Sequence, residues 1–253
     1  MHTRCRGVLK RPGKRVVFLT VYVDDIVLAG ISADTEEVIK QLALYFKLKY
    51  LGRVRHLLGM EINYLPGCML CLVQKAYIER LAETEIVGSL QYLVACTRPD
   101  LANTVRTLGR YMGAYTAENY RAEQRVVRYA LTTNKMGLSV TPEFPVLDAF
   151  CDADHQSCPE TSRSVTGFLL RLHGNMWMWK SHRQRRVTED TCGLELVACC
   201  ECTKRTVWAR ELMLEQEFGD QLLHLWPAMA TLQEPVTWRN MRDSSMNKFK
   251  QKN

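Results

Sequence analysis

The sequence predicts an α+β protein made of two acid-bearing sheet units with helices between and after them. Three observations predict it. Residues 16 to 30 read V-V-F-L-T-V-Y-V-D-D-I-V-L-A-G, two apolar, β-favouring runs broken by adjacent acids. Residues 34 to 131 then carry several stretches whose apolar positions recur at helical spacing. From Leu147 the order becomes three strand-like runs followed by a long helical run, which is how an α+β or α/β domain begins.

Residues 1 to 15 hold six Lys or Arg, three Gly or Pro and no acid, the composition of a flexible basic leader. Residues 16 to 23 suit a buried strand and residues 26 to 29 its partner, which places Asp24 and Asp25 at a hairpin tip. Asp34 and Glu37 have capping-box spacing, and Val38, Ile39, Leu42, Tyr45 and Phe46 recur helically, so a helix is expected against this sheet. Residues 57 to 62 predict a strand that residues 69 to 73 return around Pro66-Gly67. Helices are expected from Gln74, over 101 to 112 and over 118 to 131, with a Gly- and Pro-punctuated boundary at 137 to 145. Strands follow at 147 to 154, 165 to 172 and 176 to 181, then a helix from about 191 to 216 and a last strand at 235 to 241, just before Asp243. Asp152 and Asp154, two apart on a strand, share a face. Glu195 falls one turn into the long helix.

The chain has 253 residues, of which 47% are apolar, enough to bury a core. Its net charge of +7 and pI near 8.9 favour anionic partners, with basic clusters at 4 to 15, 180 to 186 and 239 to 252. Nucleic acid is the natural candidate, although any one cluster also reads as a solvated surface. Ten cysteines include Cys68-x-x-Cys71, but no second pair or His pair follows at zinc-finger spacing. Free thiols in a reducing compartment are expected. No secretory signal and no apolar run near the roughly 20 residues that cross a bilayer are present. A soluble, intracellular protein without a membrane partner or a small-molecule cofactor is therefore expected.

Adjacent carboxylates such as Asp24 and Asp25 are ordinary turn chemistry, and they are also what hard cations such as Mg²⁺ take as ligands. The tetrapeptide Tyr22-Val23-Asp24-Asp25 between apolar strands resembles the palm motif of reverse transcriptases, in particular the Ty1/copia class of LTR retrotransposons. Leu58-Gly59-Met60-Glu61-Ile62 resembles that family's primer grip, and Cys96-Thr97-Arg98-Pro99-Asp100-Leu101-Ala102 its connection segment. Asp152-Ala153-Asp154, Arg163 to Gly167, Trp179-Lys180-Ser181 and Trp208 resemble the family's ribonuclease H unit in order.

The resemblance implies a partial reverse-transcriptase palm over 16–82, a helical connection over 83–140, and a C-terminally truncated RNase H-like mixed sheet over 146–253. It implies Mg²⁺ held by Asp24 and Asp25 for polymerisation, and two Mg²⁺ held by Asp152, Glu195 and Asp243 for hydrolysis, with Asp154 a further candidate. Gly59, Met60 and Glu61 would hold the growing strand's end. Lys180, Arg183, Arg185 and Arg186 would meet the phosphates of an RNA/DNA hybrid.

The chain also departs from that pattern. No acid precedes Asp24, where the family supplies a further polymerase ligand and the nucleotide-binding fingers. Only residues 81 to 86 stand where the family has a longer linker. Gly193-Leu194 replace a Glu-Ala pair, and no acid follows Asp243. The expectation is a reverse transcriptase and RNase H fragment that does not polymerise alone. The alternative is a degenerate, non-catalytic remnant that at most binds nucleic acid.

Overall fold

The computed structural model describes residues 8–9, 16–65, 69–81, 86–141, 146–155, 158, 161–185, 187 and 190–215. They belong to two units, Met1–Arg55 and His56–Asn253. The boundaries read from the sequence, at 82/83 and 140/146, both fall inside the second unit.

In the first unit the β-branched run forms β2 (Val17–Tyr22), which pairs antiparallel with β1 (Val8–Leu9) on one side and β3 (Asp25–Ala29) on the other. The short β1 lies within the span read as a flexible leader and covers an edge of β2 whose N–H and C=O groups would otherwise stay unpaired. Helix α1 (Ser32–Ala43) starts two residues ahead of Asp34, with Ile31 at its N-cap and no side-chain cap bond, so the Asp34/Glu37 spacing does not cap it. It ends before Tyr45 and Phe46, which lie exposed beyond its last turn. Among the described residues of this unit only Val17 and Val38 are buried hydrophobics, while Ile26, Leu44, Tyr45 and Leu51 are exposed.

The second unit opens with a four-stranded antiparallel sheet, β4 (His56–Leu57), β5 (Met60–Leu65), β6 (Met69–Val73) and β7 (Leu138–Val140), in that order. The single strand read over 57 to 62 is split, because Leu58 and Gly59 both take positive φ (49° and 70°) and make a two-residue hairpin turn. Gly137 lets β7 reach β6: a Cβ there would lie 2.0 Å from the Leu72 carbonyl oxygen. That close approach draws residues read as linker into the sheet.

Between β6 and β7 the helices α2 (Lys75–Arg80), α3 (Ile86–Cys96), α4 (Ala102–Gly109) and α5 (Ala117–Thr132) enclose one core of Ile78, Leu81, Leu90, Leu93, Leu101, Val105, Leu108, Val126 and Ala130. Thr116 caps α5 by accepting the Asn119 N–H. Next come β8 (Leu147–Asp154), β9 (Val165–Leu172) and β10 (Asn175–Arg183), an antiparallel sheet in the order β10-β9-β8. Helix α6 (Thr191–Glu215) packs on β8 and β9 through Leu147, Phe168, Leu170, Cys202 and Ala209. The strand read at 235 to 241, together with Asp243 and Arg186, lies outside the described residues. Among the described residues no helix is long and apolar enough to cross a membrane.

Candidate functional site

Tyr22 pairs with Asp25, so Val23 and Asp24 form the two-residue loop of the first hairpin. Val23 holds φ at 50°, a conformation that a β-branched side chain rarely adopts and that costs roughly 1–3 kcal/mol. Val23, Asp24 and Asp25 are all exposed, and the two carboxylates project from adjacent residues at the tip. In the second unit, the Leu58–Gly59 turn is held by Tyr92, whose hydroxyl donates to the Leu58 carbonyl. Glu61 accepts the Ala76 N–H at 2.8 Å, capping α2, whose N-cap residue Gln74 makes no side-chain cap bond. Glu61 thus has a structural duty that the primer-grip reading omits; Met60 is half-buried beside it and Gly59 is exposed.

Strand alternation divides the acids of the second unit. Leu147, Ala149 and Cys151 face α6, and the Cys151 Sγ lies 3.4 Å from the Cys199 Sγ. Asp152 and Asp154 therefore project from the opposite face of β8, and both are exposed. In register Asp152 stands beside Gly167 and then Ser181, and Asp154 beside Val165 and then Arg183. Glu195 is half-buried in the second turn of α6, one turn before Cys199. Its charge reaches the thiol side of the strand: hydrogen bonding with Cys202, burial and the Glu195 carboxylate push the Cys151 thiol up. Burial and hydrogen bonding with Cys151 push the Cys199 thiol up to about 12.

Two residues missed in the sequence set the start of α6. Gln184 is buried, and its Nε2 donates to the Thr166 hydroxyl and to the Leu194 carbonyl, both at 3.0 Å. It ties β9 to the residue before Glu195. Asp190 accepts the Gly193 N–H, and the Asp-x-x-Gly spacing ahead of an apolar helix was the available signal. Of the basic residues, Lys180 and Arg185 are exposed, and Arg183 is half-buried with its guanidinium 3.8 Å from the Cys158 sulfur. Among the described residues no three His, Cys, Asp or Glu side chains lie together as a group that could hold a metal ion.

Residues 2–95 match the family model for reverse transcriptase (RNA-dependent DNA polymerase). An uncharacterized mitochondrial protein of Arabidopsis thaliana, AtMg00810, is 30% identical over 229 residues, covering 76% of this chain and 94% of its own length. The Retrovirus-related Pol polyprotein from transposon TNT 1-94 of Nicotiana tabacum is 27% identical over 245 residues, covering 80% of this chain. The chain belongs to the Ty1/copia retrotransposon Pol family. A second Pol polyprotein, from transposon RE1 of Arabidopsis thaliana, is 28% identical over 244 residues and 82% of this chain. The copia-type chain spans 18% and 16% of the lengths of these two polyproteins. No solved structure matches it. The Tyr22-to-Asp25 hairpin lies inside the residues matched as reverse transcriptase, and the β8–α6 unit lies beyond them.

Proposed function

We propose that this copia-type Pol segment binds an RNA/DNA hybrid across β8, β9 and β10 and cuts the RNA strand with Asp152, Glu195 and Asp243. One observation carries the reading: three antiparallel strands are covered by a helix, with Asp152 within the first strand and Glu195 in the helix packed on it.

Carboxylate oxygens are the donors that Mg²⁺ takes, and Asp152, Glu195 and Asp243 are the residues that would hold it, so that it stabilises charge on the phosphodiester. Asp152 and Glu195 have that donor chemistry but project on opposite faces of β8, Asp152 away from α6 and Glu195 on its side; Asp243 lies outside the described residues. The chain's own contributions are positional. Gln184 fixes the first turn of α6, and with it Glu195. Lys180, Arg183, Arg185 and Arg186 are the cations that would meet phosphates, and Arg183 stands in the same sheet row as Asp154. A labelled hybrid incubated with the full chain and Mg²⁺ tests this: Asp152→Asn or Glu195→Gln should each slow cleavage by about 100-fold or more. Cleavage that survives both changes together would end the reading.

A second reading has one observation in its favour, the projection of Asp152 from the face of β8 turned away from α6 while Glu195 lies on the α6 side. It is a non-catalytic remnant that binds nucleic acid through the same basic residues. Hybrid binding that weakens steeply with salt, with no cleavage at any Mg²⁺ concentration, would favour it.

A further inference from the structure

Beside the acid-bearing face of the β8–β10 sheet lies a cavity of about 490 Å³ between α3, α4 and β10, lined by Gln91, Arg106, Trp177, Trp179, Lys180 and Ser181. Of its lining, Trp179-Lys180-Ser181 belongs to a motif read in the sequence, and Arg106 does not. The cavity's position is set by the sheet register: Ser181 stands two strands from Asp152, about 10 Å at ordinary strand spacing, in the same row across the face. The Trp179 ring is fixed by its Nε1, which donates to the Val94 carbonyl at 2.8 Å. Arg106 is anchored through one nitrogen, which donates to the Asn103 side chain at 2.7 Å and to the Thr107 hydroxyl at 3.2 Å. Its Nε is buried with no hydrogen-bond partner. Such an unsatisfied charged donor is costly unless an acceptor meets it. Burial and the nearby charges of Arg110 and Arg183 hold the Arg106 pKa below its ordinary value, while Asp154 opposes them. The surroundings therefore carry an excess of positive charge beside indole surface.

Cations next to aromatic rings, in a recess of this size, suit one unit of a nucleic-acid strand better than a neutral ligand. We propose that the cavity seats a nucleotide of a bound strand, its phosphate on Arg106 and its base against the Trp179 ring. This rests on the nucleic-acid reading of the same face and adds the connection helix α4 to it. A strand seated there passes within one or two nucleotides of Asp152, so α4 would set which phosphate faces the acids.

Fluorescence anisotropy of a labelled RNA/DNA hybrid with a single-stranded overhang, titrated with the full chain in EDTA, reads binding apart from cleavage. Arg106→Gln should weaken binding about tenfold and reduce the slope of log affinity against log salt by about one. Arg106→Lys should retain most of the affinity. Arg121→Gln, an equal charge loss on the exposed side of α5, should change it less than twofold. Should Arg106→Gln melt well below the parent, exposed Gln91→Glu, which puts a negative charge into the lining, takes its place with the same expected loss. Unchanged affinity in the folded cavity variants, or an equal loss in Arg121→Gln, overturns the proposal. A parent chain that binds no hybrid overturns it together with the nuclease reading. Binding that Arg106 controls in a chain that never cuts ends only the nuclease reading and upholds the cavity.

Discussion

Arg98 is 1% exposed, and its guanidinium meets the Asp100 carboxylate at 2.8 and 3.0 Å, the Thr133 hydroxyl at 2.8 Å and the Thr133 carbonyl at 3.2 Å. Removing one partner of a buried pair leaves an uncompensated charge, so Asp100→Asn should cost roughly 3 kcal/mol in denaturant unfolding, the low end because Asp100 is part exposed. Burial alone would raise the Asp100 carboxyl, but the Arg98 bonds and charge hold it below its ordinary value. A depressed folded-state carboxyl contributes stability above its unfolded pKa, near 4, and loses it as pH falls further. Melting temperatures between pH 5 and pH 3 should drop more in the parent than in Asp100→Asn. Gln184 acts on the same scale: Gln184→Leu removes the bonds to the Thr166 hydroxyl and the Leu194 carbonyl and should destabilise by about 1–3 kcal/mol while slowing any cleavage. An assay showing full stability and rate in that variant would contradict its positioning role. Neither residue was legible as structural, because Arg98 read as part of a family motif and Gln184 as one polar residue inside a basic cluster.

At the scale of elements, the strands β8 and β9 were legible to the residue because apolar, β-favouring side chains run along them between turn signals. Helix α6 was legible for a similar reason, since Leu194, Ala198, Cys202, Ala209 and Met213 recur on its buried side. The Leu58–Gly59 turn was not, because a leucine at positive φ carries no turn signature. The β6–β7 pairing was hidden too, since nothing local in Leu138–Val140 marks a strand whose partner lies more than 60 residues earlier. Gly137→Ala tests that pairing. A methyl that would sit 2.0 Å from the Leu72 carbonyl must push β7 away, with an expected loss of about 1–3 kcal/mol. Unfolding at parental denaturant concentrations would show that β7 does not need the close approach.

Across the whole molecule, the two units differ in how well they bury apolar surface. The described part of Met1–Arg55 buries two hydrophobics and exposes Val21, Ile26, Leu44, Tyr45, Phe46, Tyr50 and Leu51, whereas His56–Asn253 holds both clustered cores. Residues 1 to 55 expressed alone should bind a hydrophobic dye and sediment as aggregates. A soluble, cooperatively melting fragment would contradict this. The family was legible from Tyr22-Val23-Asp24-Asp25 because that signal is local. The division of the chain was not, because it depends on which distant strands pair. For the same reason the chemistry proposed here rests on the second unit, where β8 and α6 are packed together. Cleavage of the RNA strand of a labelled hybrid, run beside the same RNA as a single strand, tests that claim most directly. The account predicts Mg²⁺-dependent cutting of the hybrid alone, lost in Asp152→Asn; an intact hybrid, or cutting indifferent to Asp152, would contradict it.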